Sequence, residues 1–150
     1  MITPTANNAP MLDELLCFAI YSTSLAMAKV YRPLLSKLGI TYPQYLVLIA
    51  LWNQDQMTVS EIGGHLFLDS ATLTPLLKRM ETAGLIARQR SARDERQVII
   101  SLTEDGRTLR KEAQNLMASV LCATQCSKEE ALASKDQLVA LRSNLEKSIQ

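Results

Sequence analysis

The chain has 150 residues, 47% of them apolar and 21% charged, with five glycines, five prolines and a formal net charge of +1. That makeup fits one folded domain with a real core, and it excludes both a disordered chain and a globally basic one. The longest apolar run, Tyr45 to Trp52, falls far short of the ~20 residues a membrane span requires.

The opening "MITPTANNAP" has neither a basic start nor an apolar centre. It reads as a frayed tail, not a signal peptide, and the protein is expected to be cytoplasmic. A first helix is expected from about Asp13 to Leu38, where Leu16, Ile20, Thr23, Met27, Val30, Tyr31, Leu34 and Leu38 keep helical spacing. Asp13 suits its start, Gly39 its stop, and Pro33 should kink it or start a new turn. Such a helix would be about 40 Å long. Long apolar terminal helices in a small protein often pair with another chain. "TYPQYLVLIALW" reads as a second helix capped by Thr41 with Pro43 in its first turn. "MTVSEIGGHLF" reads as a third, short one capped by Thr58 or Ser60. "LDSATLTPLLKRMETAGL" is a fourth. Asp69 or Ser70 caps it, Leu73, Leu76, Leu77 and Met80 form its inner face, and Gly84 ends it.

The period then changes. "LIARQR" and "RQVIISL" read as a hairpin around the charged tip "SARDER". Helical spacing returns from Thr103 to Thr124, and a last helix starts at the S-x-x-E box of Ser127 and Glu130. The fold class is therefore mainly α with a small β-hairpin.

Charge is unevenly placed. No Lys or Arg lies between Leu38 and Leu77, and then Lys78, Arg79, Arg88, Arg90, Arg93 and Arg96 follow. Two short helices, the turn "FLDS" and a basic hairpin make a winged helix-turn-helix, and double-stranded DNA is the expected partner. The fourth helix would enter the major groove with Ser70, Thr72, Thr74, Lys78 and Arg79 outward. Arg93 and Arg96 at the wing tip would reach an adjacent minor groove, with Asp94 holding the Arg96 guanidinium. The bland alternative is a helical protein with an ordinary charged hairpin.

Three cysteines, Cys17, Cys122 and Cys126, are too few for a disulfide framework in a reducing compartment. With a single histidine, His65, and no C-x-x-C, no metal site or cofactor is expected. Cys122 and Cys126, four apart, could share a helix face. Cys17 would sit in the opening turns of the first helix, where the dipole favours a thiolate. Read alone, it is as well explained as a small buried hydrophobe.

"LCFAIYSTSLAM", "TYPQYLVLIALW", "LFLDSATLTPLLKRME" and "GLIARQRSARDERQVIISLTEDG" together resemble the MarR family of transcription regulators. Within it they look like the organic hydroperoxide-sensing group (OhrR), and the likeness is close over about Leu12 to Leu109. The resemblance implies a homodimeric repressor on a pseudo-palindromic operator, released by oxidation, and not an enzyme. One chain of residues 1–150 would carry dimerisation helices at about 12–40 and 103–150 around a DNA-binding region at about 41–102. The resemblance makes Cys17 the redox-sensing thiol. It supplies Tyr31, further along the same helix, and Tyr42, from the dimer partner, as donors to the thiolate. Tyr21 is a third neighbour. Leu16, Phe18, Ile20 and Trp52 would favour a bulky organic hydroperoxide as effector. Cys122 matches the resolving cysteine of the two-cysteine branch, with Cys126 as fallback. Two other readings remain open: a MarR-type regulator released by a reversibly bound phenolic ligand, and a thiol peroxidase using the same Cys17.

Overall fold

The computed structural model describes residues 9–150. The expected N-terminal tail lies almost wholly outside them. A 3-10 turn at Leu12–Glu14 precedes α1 (Leu16–Ser36), α2 (Tyr42–Asn53), β1 (Met57–Thr58), α3 (Val59–Leu66), α4 (Ser70–Thr82), β2 (Ile86–Arg90), β3 (Val98–Leu102), α5 (Glu104–Glu112), α6 (Leu116–Thr124) and α7 (Lys128–Ser148).

Capping chemistry sets most boundaries. Thr41 with Gln44, Thr58 with Glu61 and Ser127 with Glu130 form reciprocal capping boxes at α2, α3 and α7. Asp69 accepts from the Thr72 N–H at the start of α4. Thr103 both accepts from the Gly106 N–H and donates to the Gly84 carbonyl, so one hydroxyl starts α5 and fixes the end of the α4 turn. Gly84 itself sits at φ +79°, a left-handed conformation that glycine adopts without steric cost.

Four expectations change. Asp13 belongs to the 3-10 turn, and α1 starts at Leu16 after an extended Leu15. At 21 residues, α1 is about 32 Å long rather than 40 Å. Pro33, where a kink or a new turn is expected, lies inside this one helix and removes one backbone donor there. The expected helix from Thr103 to Thr124 is two helices, divided at Ala113–Asn115. The hairpin gains a third strand: β1 pairs antiparallel with β3, Met57 opposite Ile100, giving the sheet order β1-β3-β2. Two residues are too few to carry an alternating pattern, which is why β1 is invisible to periodicity.

The core lies in the middle of the chain. Val47, Leu48, Leu51, Met57, Ile62, Leu73, Leu77, Met80, Ile86 and Ile100 are all buried. Burial of such side chains, worth roughly 25 cal/mol per Å² of apolar surface, holds α2, α3, α4 and the sheet together. Gly106 lets α5 join them. A Cβ there would stand 2.3 Å from the Leu85 carbonyl oxygen, and the Gly106 carbonyl accepts the Trp52 indole N–H at 2.9 Å. The terminal helices are different. α1 contributes only Leu35 to the core, and α7 buries nothing. Leu16, Leu25, Leu138 and Leu145 stand about half exposed or more. No helix among the described residues is long and apolar enough to cross a membrane.

Candidate functional site

Two chemistries occupy different parts of the molecule. The first is the reading head. α3 ends at Phe67, whose left-handed backbone (φ 57°) turns the chain toward α4. A Cβ at Gly63 would come 2.8 Å from the Leu68 carbonyl, so glycine permits that close turn. In α4, Leu73, Leu76, Leu77 and Met80 are buried as the spacing predicts. Ser70, Thr72, Lys78 and Arg79 are exposed, and Thr74 is half-buried. The Thr72 backbone N–H, and then its side chain, hold the Asp69 carboxyl below the usual carboxylate range. One anionic group thus satisfies the start of the helix that presents this polar face.

The wing tip is a built structure. Ser91 is buried, and its hydroxyl accepts from the Arg93 and Asp94 N–H groups at 3.2 and 3.4 Å. The Ser91 N–H donates to the Gln97 carbonyl, and the Gln97 N–H to the Asp94 carbonyl. Asp94 was expected to hold the Arg96 guanidinium. Instead its carboxylate accepts from the Arg96 backbone N–H at 3.0 Å, an Asx-type turn that shapes the loop and leaves the guanidinium unengaged by it. Among the described residues neither Arg93 nor Arg96 forms an ion pair. The cation that does brace the tip is Arg90, whose Nη1 donates to the Glu95 carbonyl at 2.9 Å. Arg88 turns inward, 3.5 Å from the Glu81 carboxylate. Sequence reasoning counted Arg88 and Arg90 only as charge. Two residues apart, both lie on one face of β2, and what separates them is position along the strand, Arg88 beside α4 and Arg90 at the tip.

The second chemistry is the thiol. Cys17 is exposed and occupies the second position of α1, inside the turn where unpaired backbone N–H groups face out. Tyr21, one helical turn on, is exposed too. Tyr31 is not a neighbour of Cys17 in the same chain. It lies fourteen residues further along one continuous helix, a rise of about 21 Å. There it joins Tyr42, with ring centroids 4.7 Å apart, and then Tyr45 and Trp52 in an aromatic row. Burial pushes the Tyr31, Tyr42 and Tyr45 hydroxyls above their ordinary pKa, with mutual repulsion adding at Tyr31 and Tyr45. All three stay protonated, as hydrogen-bond donors must. Trp52, with its N–H committed to Gly106, belongs to the core. A groove of about 580 Å³ between α1 and α7 is lined by Leu16, Ile20, Met27, Tyr42, Leu138 and Leu141, among others. Phe18 and Trp52 are not in its wall.

Cys122 and Cys126 are exposed but do not share a helix. Gln125 adopts a left-handed conformation (φ 55°) and ends α6, so Cys122 is in its last turn while Cys126 lies in the link to α7. The Cys126 thiol faces the Thr124 carbonyl at 3.6 Å. α7 then reaches back to the reading head, with the Arg142 guanidinium 4.1 Å above the centre of the Phe67 ring. No sequence signal marks that contact.

A family model described as "Transcriptional regulator SarA/Rot" matches residues 29–113. The chain is 49% identical over 134 residues to an organic hydroperoxide resistance transcriptional regulator of Bacillus subtilis, covering 89% of this chain and 91% of that one. Among solved structures, reduced AbfR bound to DNA is 37% identical and superposes with a TM-score of 0.74 over 93% of this chain and 96% of the other. Disulfide-formed AbfR, 39% identical, matches at 0.58 over 87% and 91%.

Proposed function

The chain belongs to the MarR family of winged-helix transcription regulators, and from that premise we propose that it is a homodimeric DNA-binding repressor released from its operator by organic hydroperoxide. The observation that carries this reading is the position of Cys17. It is an exposed thiol in the first turn of a helix whose N-terminal half leaves Leu16, Ile20 and Leu25 exposed. α1, α6 and α7 form the dimer seam, and α4 with the wing forms the DNA surface.

The chemistry follows from the thiol. The Cys17 thiolate attacks a peroxide oxygen, the O–O bond breaks, and a sulfenic acid and an alcohol result. The Cys122 thiol of the second subunit then attacks the sulfenic sulfur. A disulfide forms and water leaves. Because Tyr31 is about 21 Å from Cys17 along α1, the Tyr31–Tyr42 pair that steadies the thiolate comes from the partner subunit. A phenol is protonated at neutral pH, and burial raises the Tyr31 and Tyr42 values further, so both hydroxyls can donate. Leu16 and Ile20, exposed beside Cys17, favour an apolar tail on the peroxide. The disulfide would shift α6 and α7 and change the spacing of two reading heads that must meet half-sites ~34–36 Å apart. The lower superposition on disulfide-formed AbfR than on reduced AbfR supports a change of that kind.

The test is binding to an A·T-rich palindrome before and after cumene hydroperoxide, for wild type, Cys17→Ser and Cys122→Ser, with non-reducing gels alongside. Wild type should leave DNA and form a cross-linked dimer, and Cys17→Ser should do neither. A cross-linked dimer from Cys17→Ser protein sinks the assignment. Unchanged wild-type binding after oxidant removes the sensing claim and leaves the DNA claim standing.

A further inference from the structure

Six residues, Ala92 to Gln97, separate Ser91 from the first residue of β3. A loop of that size carrying two exposed arginines would be mobile if nothing held it, and both side chains and backbone would have to be ordered on DNA. Here the backbone is already ordered. The buried Ser91 hydroxyl gathers the Arg93 and Asp94 N–H groups. The Asp94 carboxylate takes the Arg96 N–H, and the Gln97 N–H closes on the Asp94 carbonyl. Among the described residues these bonds leave the Glu95 carbonyl, at the apex, with one partner: the Arg90 guanidinium, reaching across from the end of β2 at 2.9 Å. Glu95 lies between Asp94 and Arg96 in the chain, so the orientation of its peptide sets the direction in which Arg96 leaves the backbone.

We propose that Arg90 is a positioning residue, not a DNA contact: its guanidinium braces the Glu95 carbonyl so that Arg93 and Arg96 meet DNA on a preformed tip. The assignment rests on the DNA-binding reading above and goes beyond it by dividing the basic residues of the wing into those that reach out and one that holds them. Arginine suits the part, because it keeps its charge at any working pH and its planar fork fixes direction as well as distance.

Salt dependence separates the two roles. A cation that neutralises a phosphate contributes about 0.9 to the slope of log K against log salt, and a brace contributes nothing. Arg90→Ala, Arg90→Gln and Arg96→Ala should be compared with wild type on the palindrome and on random duplex over a salt series, with thermal unfolding as a folding control. Arg90→Ala is expected to lose about tenfold in operator affinity, the cost of ordering two long side chains and their loop. Its salt slope, its binding to random duplex and its Tm should match wild type. Amide exchange of residues 92–97 in the free protein should quicken. A slope reduced by about 0.9 would make Arg90 a direct contact and overturn the proposal, as would unchanged operator affinity or unchanged exchange at the tip. If wild type itself fails to bind the palindrome at every salt concentration while exchange at the tip still quickens in Arg90→Ala, the DNA reading falls and the brace alone stands.

Discussion

Tyr31 and Tyr42 face each other across 4.7 Å within one chain, while Cys17 sits fourteen residues before Tyr31 on the same unbroken helix. Within one chain the thiol and its proposed hydroxyl donors are therefore apart, and they could meet only between subunits. A heterodimer tests this directly. One subunit carries Cys17→Ser with both tyrosines intact, and the other keeps Cys17 but carries Tyr31→Phe and Tyr42→Phe. Its single Cys17 then faces intact tyrosines and should be oxidised at the wild-type rate. Placing all three substitutions in one subunit against a wild-type partner should slow sulfenate formation about tenfold, the effect of losing ~1–1.5 kcal/mol of hydrogen bonding. The reverse order, slow oxidation in the first heterodimer and the wild-type rate in the second, would place the tyrosines in the same subunit as the thiol they serve, and equal rates would mean that they do not act on it.

The same tyrosines predict an alkaline limit. Their folded pKa values lie above the ordinary 10.0 because burial disfavours phenolate. The unfolded chain releases these protons first, so their contribution to stability is complete below about pH 10 and is lost as pH rises through the folded values. Urea midpoints measured from pH 8 to 11 should hold and then fall. The Tyr31→Phe, Tyr42→Phe double variant should show a shallower fall.

Asp69 acts at the other end of the scale. Its carboxyl is depressed by the Thr72 N–H, so the cap is intact above the ordinary value of 3.8 and is lost as pH falls through the lowered one. Asp69→Ser keeps a capping oxygen and should remove this acid dependence, whereas Asp69→Ala should fray the start of α4 and weaken DNA binding at neutral pH. Helicity against pH and operator affinity read the two effects separately.

Two glycines should respond oppositely to alanine. A Cβ at Gly106 meets the Leu85 carbonyl at 2.3 Å and Leu102 at 3.2 Å, so Gly106→Ala must displace α5 from the sheet. A loss of about 2–3 kcal/mol is expected. Gly64 is on α3 with nothing within 4 Å of its Cβ position. Gly64→Ala should gain up to ~1 kcal/mol from helix propensity. Thermal unfolding of both variants checks the contrast.

Arg142 lies 4.1 Å over Phe67, which ends α3 and is itself half exposed. Replacing the guanidinium with the Arg142→Gln amide should cost about 0.5–1 kcal/mol. The loss should appear as faster amide exchange in the last turns of α7, with the reading-head core unaffected. Exchange unchanged in those turns would mean that the contact contributes nothing to holding α7.

The sequence was most legible where local chemistry decides. The cap at Thr41, the box at Ser127, the buried row of α4 and the hairpin follow from spacing and capping alone, and all stand in the structure. The misses share a cause. The division of α5 from α6, the roles of Arg90 and Asp94, and the Phe67–Arg142 contact depend on where distant segments meet, and periodicity carries no such information. Helical spacing puts Cys126 on one face with Cys122 only if the helix runs on past Gln125, whose left-handed backbone no apolar pattern announces. Asp55 shows the same limit. It accepts the Leu102 N–H and approaches Arg107 at 3.4 Å, yet in the sequence it is one acid in a polar turn.

The stitching around Gly106 decides how this protein can be cut. The Trp52 indole N–H and the Leu85 backbone carbonyl find their partners beyond β3, in the Gly106 carbonyl and the Thr103 N–H. A fragment ending at Leu102 would orphan an indole donor in α2 and a carbonyl ahead of β2, and would bare the sheet where Leu109 now covers it. A fragment from Ile40 through Ala113 keeps every one of those partners. An engineer grafting this reading head onto another dimeriser should therefore splice at the break after α5, where the chain already changes direction and no such bond is severed.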